Sequence, residues 1–291
     1  MYDLPSEYPE EPGLPDQFHD LQPQFLSRSL QLSNYESDNC FTASDLNVYY
    51  DLNNPLWHKR PDWFLALDVP HLYEGKDLRR SYVVWQEGRN PHVVIEFLSP
   101  GTEVEDLGRF YDETAKVAKA ASAKQTKNKT PAKLEVYEKY LQVPHYIVYS
   151  RYTRKLRYFK LEKGEYQEQS LNPGNPMVWF ADLEIGLGIW EGVFQNVPGH
   201  WLRWCDRAGN WLLTDIEQSE QQLEQSEQRL EQSEQQLEQS EQRLEQERAA
   251  KEQAEAQLMQ AARNLLEKGM KVEEVAQILG LSEVQLKALQ S

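Results

Sequence analysis

A seven-residue repeat in the C-terminal third of the chain most limits what this sequence can fold into. Residues 217–247 are built from the units LEQSEQR and LEQSEQQ. Leucine returns at every seventh position, at Leu223, Leu230, Leu237 and Leu244. A period of seven is typical of a coiled-coil helix and not of a globular domain. The globular part of this 291-residue chain is therefore expected to lie before the repeat.

The second core position of each heptad is weaker than the first. The residues three places after each leucine, and their continuation in register, are Ser226, Ser233, Ser240, Glu247, Ala254 and Ala261. Serine buries almost no apolar surface, so each heptad gains about half of what two leucines would give. Two interpretations stay open for residues 217–265. They form either a weak self-associating coiled coil, which predicts a homo-oligomer and most simply a dimer, or a single charged helix that acts as a spacer.

The last segment, residues 266–291, predicts a small helix-turn-helix-like cap. Gly269 and Gly280 interrupt the helical pattern, and VEEVAQILGLSEVQL has the spacing of a helix-turn-helix. Such an element often contacts DNA, but residues 271–291 hold three glutamates against two lysines. The positive charge that neutralises phosphate is missing. A cap is favoured over a DNA-binding element, and both remain open.

The net charge of −16 is concentrated at the two ends of the chain. Residues 1–53 carry −9, residues 54–216 carry +1, and residues 217–291 carry −8. The acidic overall composition is therefore no argument against a nucleic acid as partner of the middle region.

The cysteines and the apolar patterning indicate a cytoplasmic protein. Cys40 and Cys205 form neither a metal-binding spacing nor a disulfide framework, which fits a reducing compartment. No apolar stretch is long enough to span a bilayer, and the N-terminus lacks the basic and apolar segments of a signal peptide. We expect no membrane partner.

The region 41–214 predicts a single α/β or α+β domain. Residues 1–40 before it are rich in proline, acids and glutamine, and predict an extended, partly ordered arm. Apolar and β-branched runs predict strands at DWFLALDV (62–69), SYVVW (81–85), HVVIEFL (92–98) and HYIVYS (145–150). KLEVYEKYLQV (133–143) has apolar residues near helical spacing. Strands interrupted by a helix are typical of a mixed architecture.

Two acids stand in these predicted strands. Glu96 interrupts the apolar run HVVIEFL, and Asp62 follows Pro61 at the start of DWFLAL. Glu96 could be a solvent-facing edge residue or the partner of an arginine, and Asp62 could be a turn residue. Alternatively, one or two carboxylates bind Mg²⁺ together with water and phosphate oxygens. Such an ion activates water for phosphodiester hydrolysis, and a nearby lysine can orient that water and offset charge.

The order of these motifs resembles the Putative restriction endonuclease family within the PD-(D/E)XK nuclease superfamily. The resemblance is carried by RPDWFLAL, HVVIEFLSPGTEVED and KLEVYEKYLQVPHYIVYS, and it covers about residues 40–205. It implies a restriction-endonuclease-like core, in which helices flank a mixed β-sheet with a metal site at one edge. It also implies an endonuclease that cleaves DNA with Mg²⁺ or Mn²⁺.

The resemblance assigns roles to three residues. Asp62 and Glu96 would be the metal ligands and, with Lys133, the catalytic residues. The commonest form of the superfamily has a lysine two residues after the glutamate, where this chain has Leu98. This family instead supplies the lysine from the following helix, where Lys133 stands. Tyr137 would share its helical face as a supporting residue.

The segment between Glu103 and Lys133 is long and rich in lysine. Residues 107–133 carry a net charge of +5, which could contact the DNA backbone or could be a solvated loop. The segment contains five rival lysines, Lys116, Lys119, Lys124, Lys127 and Lys129. Lys133 is preferred because the amphipathic helix that begins there would hold it rigidly. Asp106 matches an acid often found after the SP-T motif in the family, and is a second supporting residue.

A different class of function also fits the sequence. Because a fold does not determine a function, the chain could be a non-catalytic, nuclease-fold binding or scaffold protein. Its working part would then be the heptad segment and the tail after it.

Overall fold

The computed structural model describes residues 16–99, 101–111 and 130–282. The chain forms two compact units, Met1–Gln218 and Ser219–Ser291. Among the described helices, none is both long enough and apolar enough to cross a membrane.

The described part of the first unit contains twelve strands and a few short helices. The strands are β1 (Cys40–Ala43), β2 (Val48–Tyr49), β3 (His58–Lys59), β4 (Trp63–Leu67), β5 (Tyr82–Val83), β6 (Val93–Phe97), β7 (His145–Ser150), β8 (Lys155–Glu162), β9 (Glu165–Gln169), β10 (Met177–Phe180), β11 (Ile185–Phe194) and β12 (Val197–Cys205). The α-helices within the described residues are α1 (Gln17–Ser29), α2 (Val84–Glu87), α3 (Glu103–Leu107), α4 (Lys133–Glu135), α5 (Asp215–Glu267) and α6 (Val272–Leu279).

A six-stranded mixed sheet organises the first unit, in the order β1-β4-β6-β7-β8-β9. β6 and β7 run parallel, and the other neighbouring pairs are antiparallel. Two three-stranded sheets, β10-β11-β12 and β3-β2-β5, complete the unit. The predicted mixed sheet flanked by helices, with a long C-terminal helix after it, is confirmed.

Alternating side chains of the central strands enter two separate cores. Trp63, Ile95 and Ile147 pack on the face covered by α1 and the β10-β11-β12 sheet. Phe64 and Val94 pack on the other face, with α4 and the β2 region. Every residue of β4, β6 and β7 is buried, as expected for strands covered on both faces. A polar side chain on these strands therefore needs a partner within the fold.

The helix α1 differs from the extended arm predicted for the N-terminal region. Asp16 caps its first turn by accepting hydrogen bonds from the backbone of Phe18 and His19. Phe18, Leu21 and Phe25 are buried in the first core at the i, i+3, i+7 spacing of an amphipathic helix. Polar neighbours and an internal proline hid this pattern in the sequence. Residues 1–15 of the predicted arm lie outside the described residues.

Gln22→Leu should lower the free energy of unfolding by about 2–4 kcal/mol. The buried Gln22 side chain donates to the carbonyl of Leu202 at 2.9 Å and accepts from its N–H at 2.8 Å. Leucine leaves both backbone groups of Leu202 unpaired, and each costs about 1–3 kcal/mol. Urea unfolding measures the effect. Gln24→Leu is the matched control, because the Gln24 side chain bonds only within α1, to Asp20. Equal stability of the two variants would contradict the expectation.

A widened helical turn continues α4. Residues Val136–Tyr140 form a π-helix, in which the N–H of Leu141 donates to the carbonyl of Val136 at 3.0 Å. The helix predicted over 133–143 is therefore present, but its second part has the wider i→i+5 hydrogen bonding. At the other predicted strands the structure is close to the expectation, except that SYVVW is strand only at β5. α2 begins at Val84, and Gly88, which follows its last residue, adopts the left-handed conformation.

The second unit consists of the main part of α5 followed by α6. Four leucines of the heptad repeat, Leu223, Leu230, Leu237 and Leu244, are each between 53% and 62% exposed. Towards its end, Ala262 packs with Val275 of α6 in a small core that Leu265 and Leu279 join. A compact helical cap is the interpretation that this core supports. Residues 283–291 of the predicted cap lie outside the described residues.

Candidate active site

The two acids predicted from separate strands meet at one end of the central sheet. Glu96 lies near the C-terminal end of β6, and Asp62 immediately precedes β4. Because β4 and β6 are antiparallel, with Trp63 opposite Ile95, the start of one strand adjoins the end of the other. The N–H of Phe97 donates to Asp62 Oδ2 at 2.6 Å, and the N–H of Asp62 donates to Glu96 Oε2 at 3.4 Å.

Glu96 is fully buried in a central strand. Its neighbours Ile95 and Phe97 enter the first core, and Glu96 points to the opposite face, as strand alternation predicted. The alternative that Glu96 faces solvent from an edge strand is wrong, because β6 lies between β4 and β7. The alternative of an arginine partner is also wrong, since its charged partner among the described residues is a lysine.

Lys133 and Tyr137 both reach Glu96 from the following helix. Lys133 Nζ lies 2.8 Å from Glu96 Oε2, and the hydroxyl of Tyr137 donates to Glu96 Oε1 at 2.6 Å. The two side chains stand one turn apart, so they present their polar ends on one face. The five rival lysines of the preceding segment lie outside the described residues.

Asp106 brings a third carboxylate to the same place. It is buried on α3, and its Oδ1 lies 3.5 Å from Lys133 Nζ. This oxygen is buried without a hydrogen-bond partner among the described residues. The backbone carbonyl of Asp106 accepts a hydrogen bond from the hydroxyl of Tyr146 at 2.8 Å, which ties α3 to β7. All five residues singled out from the sequence are thus brought together.

The cluster carries more negative than positive charge. The ammonium of Lys133 contacts Glu96 and Asp106 and also interacts with the charge of Asp62, so the fully ionised set has a formal charge of −2. Burial raises the pKa of Glu96 to about 8 and that of Asp106 to about 7, and it also raises the pKa of Asp62, while Lys133 opposes each shift. Burial alone would lower the pKa of Lys133, but the carboxylates, Glu96 first, hold it well above its usual value.

The donor set fits a hard divalent cation. Mg²⁺ and Mn²⁺ take carboxylate oxygens together with water and substrate phosphate. Asp62, Glu96 and Asp106 supply carboxylates from two strands and a helix, and Asp106 Oδ1, which accepts no hydrogen bond among the described residues, is a buried acceptor that such an ion would satisfy. The formal charge of −2 that the set carries when fully ionised would be offset by such a cation.

Glu96→Gln should become more stable than the wild type as the pH rises, when both are measured without divalent ions. The pKa of Glu96 is about 8 in the folded state against an ordinary 4.5. Between these values the folded protein keeps a proton that the unfolded chain releases, so rising pH favours unfolding of the wild type. Glutamine has no such proton, so its advantage should grow by up to about 4 kcal/mol between about pH 4 and pH 8. Urea unfolding across this range with the exposed Glu162→Gln as control tests it, and parallel curves for wild type and Glu96→Gln would contradict it.

His19 is a neighbour of the site that the sequence did not reveal. Its Nδ1 lies 2.8 Å from Asp16 Oδ1, and its Nε2 lies 3.3 Å from the carbonyl of Phe97. Burial would lower the pKa of His19, but the hydrogen bond to Asp16 and the charge of Asp62 raise it. α1 thus places an ionisable ring beside the end of β6. The sequence shows the spacing of Asp16 and His19 that is typical of a helix N-terminus. It does not show that His19 lies close to β6.

The fold and the site together define a restriction-endonuclease-like protein. The mixed sheet supplies the framework, and the end of its central strands carries an acidic cluster with one lysine. The chain belongs to the Uma2 family, described as "Putative restriction endonuclease", whose family model matches residues 1–190. Among curated proteins, none matches the chain.

Proposed function

We propose that this protein is a metal-dependent DNA endonuclease that hydrolyses phosphodiester bonds. Family membership indicates a nuclease, and the main observation is the convergence of three carboxylates, two of them fully buried, and one lysine at the end of β6. Asp62, Glu96 and Asp106 are the residues that would hold Mg²⁺ or Mn²⁺. Bound there, the ion would activate water and stabilise the charge that develops on the phosphate.

The remaining polar groups have distinct proposed tasks. The ammonium of Lys133 would orient the attacking water or donate to a phosphate oxygen, which stabilises developing negative charge. Tyr137 would fix Glu96, because its hydroxyl occupies Oε1 and leaves Oε2 directed towards Lys133 and Asp62. A carboxylate held in this way keeps its geometry through the reaction.

Two arginines at the same end of the sheet as the site, Arg154 and Arg151, of which Arg151 pairs with Asp16, support DNA as the substrate. β6 and β7 are parallel, with Phe97 opposite Tyr149, so the turn after β7 lies at the same end of the sheet as Glu96. Arg151 and Arg154 of this turn line a cavity of about 450 Å³ together with His200. Such side chains contact phosphates without regard to sequence. The lysine-rich segment 112–129 lies outside the described residues, and its contact with DNA stays a prediction.

Plasmid cleavage tests the proposed activity. Supercoiled plasmid should be converted to nicked or linear DNA in the presence of Mg²⁺ or Mn²⁺, and a chelator should stop the conversion. Single-stranded DNA and RNA of matched length serve as comparison substrates. Absence of cleavage with both ions, or cleavage that persists in the chelator, would contradict a metal-dependent DNA endonuclease.

The exposed leucines of α5 favour a second candidate function, in which the chain binds a second copy of itself. A leucine stripe with more than half of each side chain exposed is an apolar surface that a parallel copy of the same repeat would cover. A homodimer through α5 could serve a scaffold role with or without cleavage. Light scattering of the full chain and of a variant lacking 219–291 tests it. Equal oligomeric states for the two proteins would contradict the role of α5.

The cysteines support a reducing compartment such as the cytoplasm. Cys40 and Cys205 are both buried free thiols that lie in different strands. Free thiols are usual where disulfides do not persist. Thiol titration of the protein purified without reductant should find two free thiols per chain after unfolding, and a disulfide would contradict this proposal.

A further inference from the structure

Three metal-ligating side chains converge at the opposite end of the central strands from Glu96. His92 immediately precedes β6, and His145 opens the parallel strand β7, where it lies opposite Val93. Asp182 lies in the turn between β10 and β11. Glu96 lies four positions beyond His92 along an extended strand, which corresponds to a distance of about 13 Å. The cluster is therefore separate from the carboxylate site.

The ligand atoms of the cluster are close to one another. His92 Nε2 lies 2.7 Å from Asp182 Oδ2, and His145 Nε2 lies 3.0 Å from both oxygens of Asp182. The candidate ligand atoms of the three residues all lie within 4.8 Å of one another. The side chain of Asp182 is 46% exposed and that of His92 is 24% exposed, whereas His145 is buried. An ion could therefore enter from solvent and rest against a fixed inner ligand.

Neighbouring side chains fix the orientation of the His145 ring. The hydroxyl of Tyr158 lies 2.7 Å from His145 Nδ1, which turns Nε2 towards Asp182. The ring of Phe180 packs edge-on against the imidazole at 4.9 Å. Burial lowers the pKa of His145. Burial would raise the pKa of Asp182, but the hydrogen bond from His145 lowers it, so the carboxylate is ionised.

We propose that His92, His145 and Asp182 form a binding site for Zn²⁺ or a closely related first-row transition-metal ion. Two imidazoles and one carboxylate are a donor set that zinc accepts, whereas Mg²⁺ prefers oxygen ligands alone. Tyr158 would supply the outer hydrogen bond that metal-bound histidines usually make. Three protein ligands leave a fourth position for water. The ion would join the six-stranded sheet to the β10-β11-β12 sheet through side chains of both.

A hydrogen-bonded cluster without metal is the competing explanation. In that case the Nε2–H groups of His92 and His145 both donate to Asp182, and neither ring offers a lone pair at that atom. Zinc would have to displace both protons, since metal ligands must be deprotonated there. The two explanations differ in whether the folded chain binds zinc at this place with useful affinity.

Zinc titration of the full chain without a polyhistidine tag tests the proposal. Millimolar Mg²⁺ occupies the carboxylate site, calorimetry measures the affinity for Zn²⁺, and Co²⁺ absorption reports imidazole ligands in a tetrahedral site. We expect one zinc per chain, with affinity reduced at least about 100-fold in His92→Gln and Asp182→Ala and about 10–100-fold in Tyr158→Phe. His71→Gln is the matched control, because His71 is an exposed histidine outside the cluster.

Two results would overturn the zinc site. The first is no zinc binding by the wild type together with no imidazole signature for Co²⁺. The second is equal binding by the wild type and by folded His92→Gln and Asp182→Ala, with folding checked by circular dichroism. Neither variant alters Asp62 or Glu96, so plasmid cleavage in Mg²⁺ is an independent measurement. Failure of the zinc site and failure of the proposed nuclease are therefore distinguishable.

Discussion

Glu96→Gln should reduce metal-dependent plasmid cleavage by about 10³-fold or more while the protein stays folded. Glu96 is the one carboxylate that contacts Lys133, Tyr137 and the N–H of Asp62 at once. Glutamine keeps the shape but removes the charge that would hold the ion. The ion supplies several kcal/mol of transition-state stabilisation, and each factor of ten in rate corresponds to about 1.4 kcal/mol.

The control Glu162→Gln shows whether a loss of cleavage depends on the position of Glu96 or on the Glu-to-Gln substitution itself. Glu162 is an exposed glutamate at the end of β8, so the same substitution there should leave cleavage unchanged. Initial rates of nicking at saturating Mg²⁺ are the measurement, and a Mn²⁺ series shows whether a softer ion recovers part of the rate. Cleavage by Glu96→Gln at the wild-type rate would remove Glu96 from the reaction.

Lys133→Met should lower both the cleavage rate and the stability. The rate should fall about 10²-fold or more, because the cation nearest to the carboxylates is lost. Without Lys133, the buried Glu96 and Asp106 lose the cation that pairs with both of them, and breaking such a pairing costs about 3–5 kcal/mol near neutral pH. The loss should shrink as the pH falls towards about 5, since protonation removes the repulsion.

Magnesium should distinguish the two effects of Lys133→Met. A bound divalent ion replaces the missing positive charge, so Mg²⁺ should restore part of the thermal stability without restoring the rate. Lys139→Met is the control on the same helix, because Lys139 is exposed and pairs only with Glu135 among the described residues. A variant that retains full activity would indicate that a lysine of 112–129 completes the site instead.

The central site was predictable because its signals are local and follow strand geometry. An acid inside a run of buried residues must have a partner, and alternation fixed the face on which Glu96 points. Lys133 and Tyr137 share a helical face at a spacing that the sequence displays directly. The resemblance to a family then connected the strand with the helix, which spacing alone could not do.

The contacts that the sequence did not reveal join residues with no common pattern. His19 lies beside Phe97, 78 positions away, and only the packing of α1 brings them together. His92, His145 and Asp182 come from two strand starts and a turn, so no spacing rule connects them. The exposed leucines of α5 present a different problem. Their seven-residue period is fully visible in the sequence, but the period does not identify the surface that they bind.

The π-helical turn after α4 combines two tasks in one short segment. Tyr137 lies within it, donates to Glu96 and packs in the second core, where Leu141 and Val143 beyond the wide turn also pack. A wide turn holds one residue more than an α-helical turn, so it resets the phase of the side chains that follow. A one-residue deletion in the wide turn should therefore disturb both the contact of Tyr137 with Glu96 and the packing of Leu141 and Val143.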